Sequence, residues 1–291
     1  VRLRLLPIAL AISISPVTVY ADGVAEADER PAVEDLPDHD HHLGWDIAAM
    51  GRQSGLGFVS QFAEFDSWIL IAGLADITFL LSLNEAAVQR SIEDAHVMGD
   101  AGELIADVMG IAANCGVAPL GAYAIGRLTD DDKAVHFGIE LAATQLIVSV
   151  EVILVSQIPF HKRPVIEKGD RPDEDASFLN DALRGRSSYP SGHMIGLSTL
   201  VFKGWEHYGW KVGLPATIAT VFVGWARVQA GEHYLTDIVG TVGLAGIASL
   251  AVTRVRDFWP HTRVGSGRSA KLFAFPVLNP SRGTLTVVGL F

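Results

Sequence analysis

The sequence predicts an all-α fold: a helical bundle of about six core helices with a short C-terminal β-hairpin. Three observations lead there. From about Phe58 long apolar segments alternate with short polar breaks, alanine, leucine, valine and glycine dominate those segments, and no period-two alternation recurs within them. The first two mark helices that bury a face, and the third argues against a sheet as the main layer. No internal repeat is visible.

The elements follow in chain order. The opening VRLRLLPIALAISISPVTVYADG reads as a signal peptide over 1–21: Arg2 and Arg4 precede an apolar run, and Val19-Tyr20-Ala21 offers small residues for cleavage before Asp22. The run is short for a membrane span and holds Pro7 and Pro16. Residues 22–57 read as an acidic linker and N-terminal segment; 22–40 alone carry eight acids against one arginine. The DHDHH stretch (Asp38–His42) within it reads as a solvated tract and not a metal site. A helical domain is expected over 58–258, with helices near 64–83, 102–126, 133–158, 192–209, 213–228 and 235–254. The tail, 259–291, holds two strand-like runs, Lys271–Leu278 and Thr284–Leu290, separated by the turn signal NPSRG.

Composition narrows the classes. The net charge is −11 with no lysine- or arginine-rich face, which argues against a nucleic-acid partner. Cys115 is the chain's single cysteine, so no intrachain disulfide or cysteine metal cluster can form, and its apolar setting suggests a core position. Asp76, Asp107, Glu140 and Glu151 lie inside the apolar segments, where lipid would penalise them unless they faced a partner. If an exported N-terminus preceded six spans, the loops at 159–191 and 229–234 would return to the cytoplasm. The expectation is therefore an exported, soluble or peripheral body, with possible peripheral membrane contact. Trp205, Trp210 and Trp225 are expected in the core.

Three polar clusters interrupt the helical part: FHKRPV, with Lys162, Arg163 and Pro164; YPSGHM, with Ser191, Gly192 and His193; and ARVQAGEHYLTD, with Arg227, His233 and Asp237. His233 and Asp237 are four apart, hence on one face of a helix. An aspartate on one imidazole nitrogen fixes the tautomer and leaves the other nitrogen for nucleophilic or acid–base work. Arg163 and Arg227 fall at segment ends, where guanidinium groups can clamp a phosphoryl group. Ser191 and Gly192 open an apolar helix, whose N-terminus either receives an anion or is simply capped by Ser191.

In order and spacing, these clusters resemble the type 2 phosphatidic acid phosphatase and vanadium-dependent haloperoxidase superfamily, and an acid phosphatase-like member in particular. Its signature reads KxxxxxxRP, PSGH and SRxxxxxHxxxD. Arg163-Pro164 matches the end of the first motif, Pro190-Ser191-Gly192-His193 the whole second, and Arg227, His233 and Asp237 the third. The resemblance covers roughly residues 60–255. It implies that His233 attacks phosphorus, that Asp237 orients it, and that His193 protonates the leaving oxygen. Arg163, Arg227, Ser191 and the Gly192 amide would bind the phosphoryl oxygens, with Lys162 a further candidate. No metal or other cofactor is implied.

Two positions depart from the signature. Ala226 replaces the serine of the third motif, and Ser156 stands where the first motif has its lysine. A lost charged donor is worth about 1.5–3 kcal/mol. The expected function is an exported phosphatase acting on phosphomonoesters or lipid phosphates through a phosphohistidine. Two alternatives stand beside it: a haloperoxidase, for which vanadate would be the cofactor, and a family member that binds phosphate with impaired catalysis. Neither the substrate nor the oligomeric state follows from the sequence.

Overall fold

Alanine- and leucine-rich runs with few β-branched clusters fold as helices. The computed structural model describes residues 43–158, 161, 163–164, 187–256, 276–279 and 284–287. Among these, nine α-helices follow one another: α1 (Leu43–Ala63), α2 (Phe65–Ser82), α3 (Glu85–Ala95), α4 (Gly99–Asn114), α5 (Val117–Thr129), α6 (Asp132–Ser156), α7 (Ile195–Tyr208), α8 (Trp210–Gln229) and α9 (Leu235–Arg256). A 3-10 turn, Gly192–Met194, leads into α7.

The helical class holds, and the number of helices does not. The expected 102–126 helix is broken at Cys115–Gly116, and α5 leaves α4 at 55°. Cys115 is exposed at that break and is not a core residue. The short, polar α3 occupies what the pattern marked as a break. The helical body begins at Leu43 and not at residue 58. Beyond Arg256 the structure describes only two four-residue strands, Pro276–Asn279 (β1) and Thr284–Val287 (β2), paired antiparallel. The turn and flanks of the expected hairpin lie outside the described residues, and the fold rests on the helices alone. The expected signal peptide, most of the expected acidic linker and the DHDHH stretch also lie outside them.

Helices α6 and α9 make the centre. Ala143, Ile147, Val148 and Val152 of α6 pack with Ile195 of α7 and with Ala245, Ala248 and Val252 of α9. A second cluster joins Ile92 of α3, Ala106 of α4, Met194, Leu197 of α7, Val223 and Ala226 of α8, and Ile238 of α9. Small residues let the helices approach closely. A side chain at Gly196 would strike the Ala113 backbone, so α7 rests directly on α4.

The surface overturns the soluble reading. Helix α1 is inside-out: Asp46, Gln53, Ser54 and Gln61 are buried, while Leu43, Ile47, Leu56, Val59 and Phe62 face outward. Helix α2 exposes Phe65, Trp68, Ile69, Phe79 and Leu80, and only 6% of its apolar window is buried. Trp210 and Trp225, expected in the core, are exposed. Outward apolar faces of this extent belong against lipid. Helices α2, α6 and α9 are long and apolar enough to cross a membrane, and the bent α4–α5 pair would make a fourth span. Their 18 to 25 residues correspond to about 27–37 Å of helix, against a hydrocarbon core of about 30 Å. The protein is membrane-associated.

Two of the four carboxylates that argued for a soluble body, Glu140 and Asp107, are paired with cationic side chains, while Asp76 is exposed on α2. Glu140 is buried with Lys203 (3.1 Å), His207 (3.0 Å) and Arg256. Lys203, fully buried, also reaches Glu206 (2.9 Å) and Thr253 (2.9 Å). Asp107 pairs with Arg227 and His193. The Glu140 network ties the start of α6 to the ends of α7 and α9. The other end of the same helices holds the motif residues.

Candidate active site

Local chain geometry assembles the third motif. Helix α8 carries Arg227 in its last turn, and Gly231 then takes a positive φ of 70° that a side chain would strain. The turn folds back so that the N–H groups of Glu232 (3.2 Å) and His233 (3.3 Å) both donate to the Arg227 carbonyl. Helix α9 starts two residues later and puts Asp237 in its first turn. Asp237 is completely buried. Its Oδ2 lies 3.2 Å from His233 Nδ1 and accepts the Tyr234 N–H at 2.9 Å. A proton on Nδ1 shared with Asp237 leaves the Nε2 lone pair of His233 for a reacting group.

His233 lines a cleft of about 300 Å³. Its walls include Ser156, Val152 and Ile153 from α6, Arg163 beyond it, Ser187, Ser188 and Pro190, Gly192 and His193 before α7, and Asn114 at the end of α4. The first and second motifs thus meet the third around one space. Arg163 Nη1 donates to Glu232 Oε2 at 2.7 Å. Arg227 Nη1 donates to Asp107 Oδ1 at 2.8 Å, and its Nη2 lies 3.8 Å from the same Glu232 oxygen. Both guanidinium groups are therefore held by carboxylates, and His193 Nε2 stands 3.3 Å from Asp107 Oδ1.

The capping role of Ser191 is not observed. Its hydroxyl makes no cap bond; it is buried with no hydrogen-bond partner among the described residues. Its N–H donates to the Asp237 carbonyl at 3.1 Å and its carbonyl accepts from Thr241 Oγ1 at 2.9 Å, so backbone bonds to α9 hold it. Gly192 is the first residue of the 3-10 turn, and a Cβ there would meet nothing within 4 Å. Ser156 turns its hydroxyl back to the Ile153 carbonyl (3.0 Å) and supplies no cation. Lys162 lies outside the described residues.

Several neighbours escaped the sequence reading. Asn114 clamps the 3-10 turn, donating to the Gly192 carbonyl (2.7 Å) and accepting the Gly196 N–H (2.8 Å). Asp107 and Glu232 hold the arginines. His161 contacts Asp237, and Glu85 contacts His161 in turn. Local spacing could not announce Asn114, Asp107, His161 or Glu85 in these roles, because their partners lie far away along the chain.

Electrostatics separates the histidines. Burial, then the charge of Arg227 and of His233, pushes His193 down to about 4. Burial also lowers His233; the Asp237 hydrogen bond and charge oppose this, and Arg163 and Arg227 add to it. Both rings are therefore neutral near pH 7 with the cleft free of ligand. His161 moves the other way. Burial disfavours its cation, but the hydrogen bonds and charges of Asp237 and Glu85 outweigh burial and raise it to about 9.

The site thus sets a buried histidine, neutral near pH 7, beside two arginines in a helical, membrane-associated body. Residues 134–260 match the family model described as PAP2 superfamily. Over 91 residues the chain is 34% identical to the lipid A 1-diphosphate synthase of Escherichia coli (strain K12), covering 30% of this chain and 34% of that protein. The chain thus spans about a third of the length of the curated relative it matches. No solved structure matches it.

Proposed function

We propose that the protein transfers the phosphoryl group of a lipid phosphate or other phosphomonoester through a phosphohistidine on His233. The observation that carries this is His233, buried and hydrogen-bonded to Asp237, lining the same cleft as Arg163 and His193. In the first step His233 Nε2 bonds to phosphorus, the bond from phosphorus to the leaving oxygen breaks, and His193 delivers a proton to that oxygen. In the second step water attacks phosphorus, the P–N electron pair returns to the ring, and His193 takes the water proton. Arg163, Arg227 and the Gly192 amide stabilise the charge on the equatorial oxygens, with no metal or cofactor assigned a part. The membrane setting, and Val152 and Ile153 in the cleft wall, favour a lipid phosphate over a soluble ester.

The relative's name motivates a second reading, in which a lipid phosphate replaces water as the acceptor. The purified full chain in detergent, given labelled phosphatidate, a polyprenyl diphosphate and a soluble aryl phosphate, separates the possibilities. Release of inorganic phosphate from the lipid substrates is expected. Label moving only to an added lipid acceptor would establish the second reading, and no turnover on any of them would end both.

The depressed His193 implies a linked proton. A tetrahedral dianion in the cleft raises its pKa, so binding takes up a proton and the affinity falls as pH rises above about 4 towards the bound-state pKa. Calorimetry of sulfate binding near pH 6, in buffers of different ionisation enthalpy, is expected to show uptake approaching about one proton per site. His193→Gln is expected to show none. Equal uptake in the two would remove His193 from the role of proton donor.

A further inference from the structure

His161 is a histidine that the proposed reaction leaves unused. Its ring stands between two carboxylates, with Nδ1 2.8 Å from Asp237 Oδ1 and Nε2 2.9 Å from Glu85 Oε1. A carboxylate accepts and does not donate, so two such partners call for a proton on each ring nitrogen, and the ring is a cation. Its surroundings fix it in place. The Ser188 N–H donates to the His161 carbonyl at 2.7 Å, Ser188 Oγ lies 3.1 Å from Nδ1, and the Tyr234 ring lies against it at 4.6 Å between centroids. Glu85, the first residue of α3, is held in turn by Thr236 Oγ1 at 2.9 Å.

Asp237 divides its oxygens. Oδ1 serves His161, and Oδ2 serves His233 and the Tyr234 N–H. A carboxylate already facing one imidazolium pulls less on the proton of a second imidazole, which lowers the basicity of that second ring. Two consequences follow for the proposed reaction, on which this inference rests. His233 stays neutral, and so nucleophilic, at lower pH. The phosphoimidazolium is also less stabilised, so its P–N bond breaks more readily when the acceptor attacks.

We propose that Glu85 and His161 extend the Asp237–His233 pair into a four-membered chain, in which His161 is a positioning residue that sets the basicity of His233 and the lifetime of the phosphohistidine. The charged and titratable groups facing His233 are Asp237, His193, Arg163 and Arg227. Those facing His161 are Asp237 and Glu85, with Ser188, Tyr234 and Thr236 as the neutral neighbours. All except the altered residue persist in a His161 variant, so a shift at His233 reads the contribution of His161.

The test titrates the full chain in micelles with ¹⁵N-labelled histidine, assigning His233 by the signal lost in His233→Gln. In His161→Asn the pKa of His233 is expected to rise by about one unit, because a facing charge is removed while a hydrogen bond to Asp237 can remain. His161→Lys, which keeps the charge, is expected to stay close to the wild type. Should His161→Asn not fold, Glu85→Gln reads the same chain, with the His161 titration itself expected to fall by at least about one unit. Acid quench after labelled substrate is expected to trap severalfold more phosphohistidine in His161→Asn. An unmoved His233 titration in a folded His161→Asn, or an unmoved His161 titration in Glu85→Gln, overturns the proposal. A wild type that never forms phosphohistidine, with the His233 shift present, leaves the coupling standing and refutes the nucleophile reading instead.

Discussion

His233→Ala is expected to lower turnover on the order of 10⁴-fold or more, the usual cost of deleting a nucleophile that no neighbour replaces. None of the other cleft histidines can substitute. His193 is held near Asp107, and both ring nitrogens of His161 are committed to carboxylates. Anion binding should survive, because Arg163, Arg227 and the 3-10 turn are untouched. The measurement is therefore a pair: steady-state rate and sulfate affinity on the same preparation. Loss of rate with affinity kept within a few-fold fits the assigned role, and undiminished turnover would sink the mechanism. Asp237→Asn is expected to fall less far, on the order of 10³- to 10⁴-fold, by analogy with the triad aspartate whose replacement leaves the geometry but misplaces the proton.

The second large effect is on stability. Lys203→Ala is expected to destabilise the protein by about 3–5 kcal/mol, because it strands Glu140 and Glu206 in a buried site sized for a cation. Lys203 is completely buried, and its ammonium has three oxygen partners, one from each of Glu140, Glu206 and Thr253. Arg256 cannot take over, since it already holds Glu140 and Glu206 from its own side. Pairing Lys203→Met with Glu140→Gln should recover part of the loss, because the uncompensated charge is removed along with its partner. Thermal unfolding in one detergent compares the three forms. A single variant melting with the wild type would show that the network adds no stability.

The legible parts of this molecule are those whose information is local. Asp237 follows His233 by one helical turn, and the PSGH segment runs straight into α7, so both could be read from spacing. Long apolar runs gave away α2, α6, α8 and α9 as helices. Helix α1 was hidden because its pattern is reversed, with polar residues inward and apolar residues outward, and a reader looking for a wet surface takes it for a linker. The same reversal misled the soluble assignment. The charges at Asp107 and Glu140 looked prohibitive in a membrane because their partners, Arg227 and Arg256, lie 120 and 116 residues away. Glu85 and Asn114 were silent for the same reason. Ser156 remains without a structural substitute among the described residues.

The Asn114 clamp bears on what can be moved between proteins. The stretch that carries the superfamily's match begins at residue 134, yet the side chains that steady its cleft come from further upstream: Glu85, Asp107 and Asn114. Excising or transplanting that stretch by itself would leave Arg227, His161 and the turn before α7 without the neighbours that aim them. Any chimera that exchanges specificity with a relative must therefore trade α3 and α4 together with the motifs, as one inheritable block.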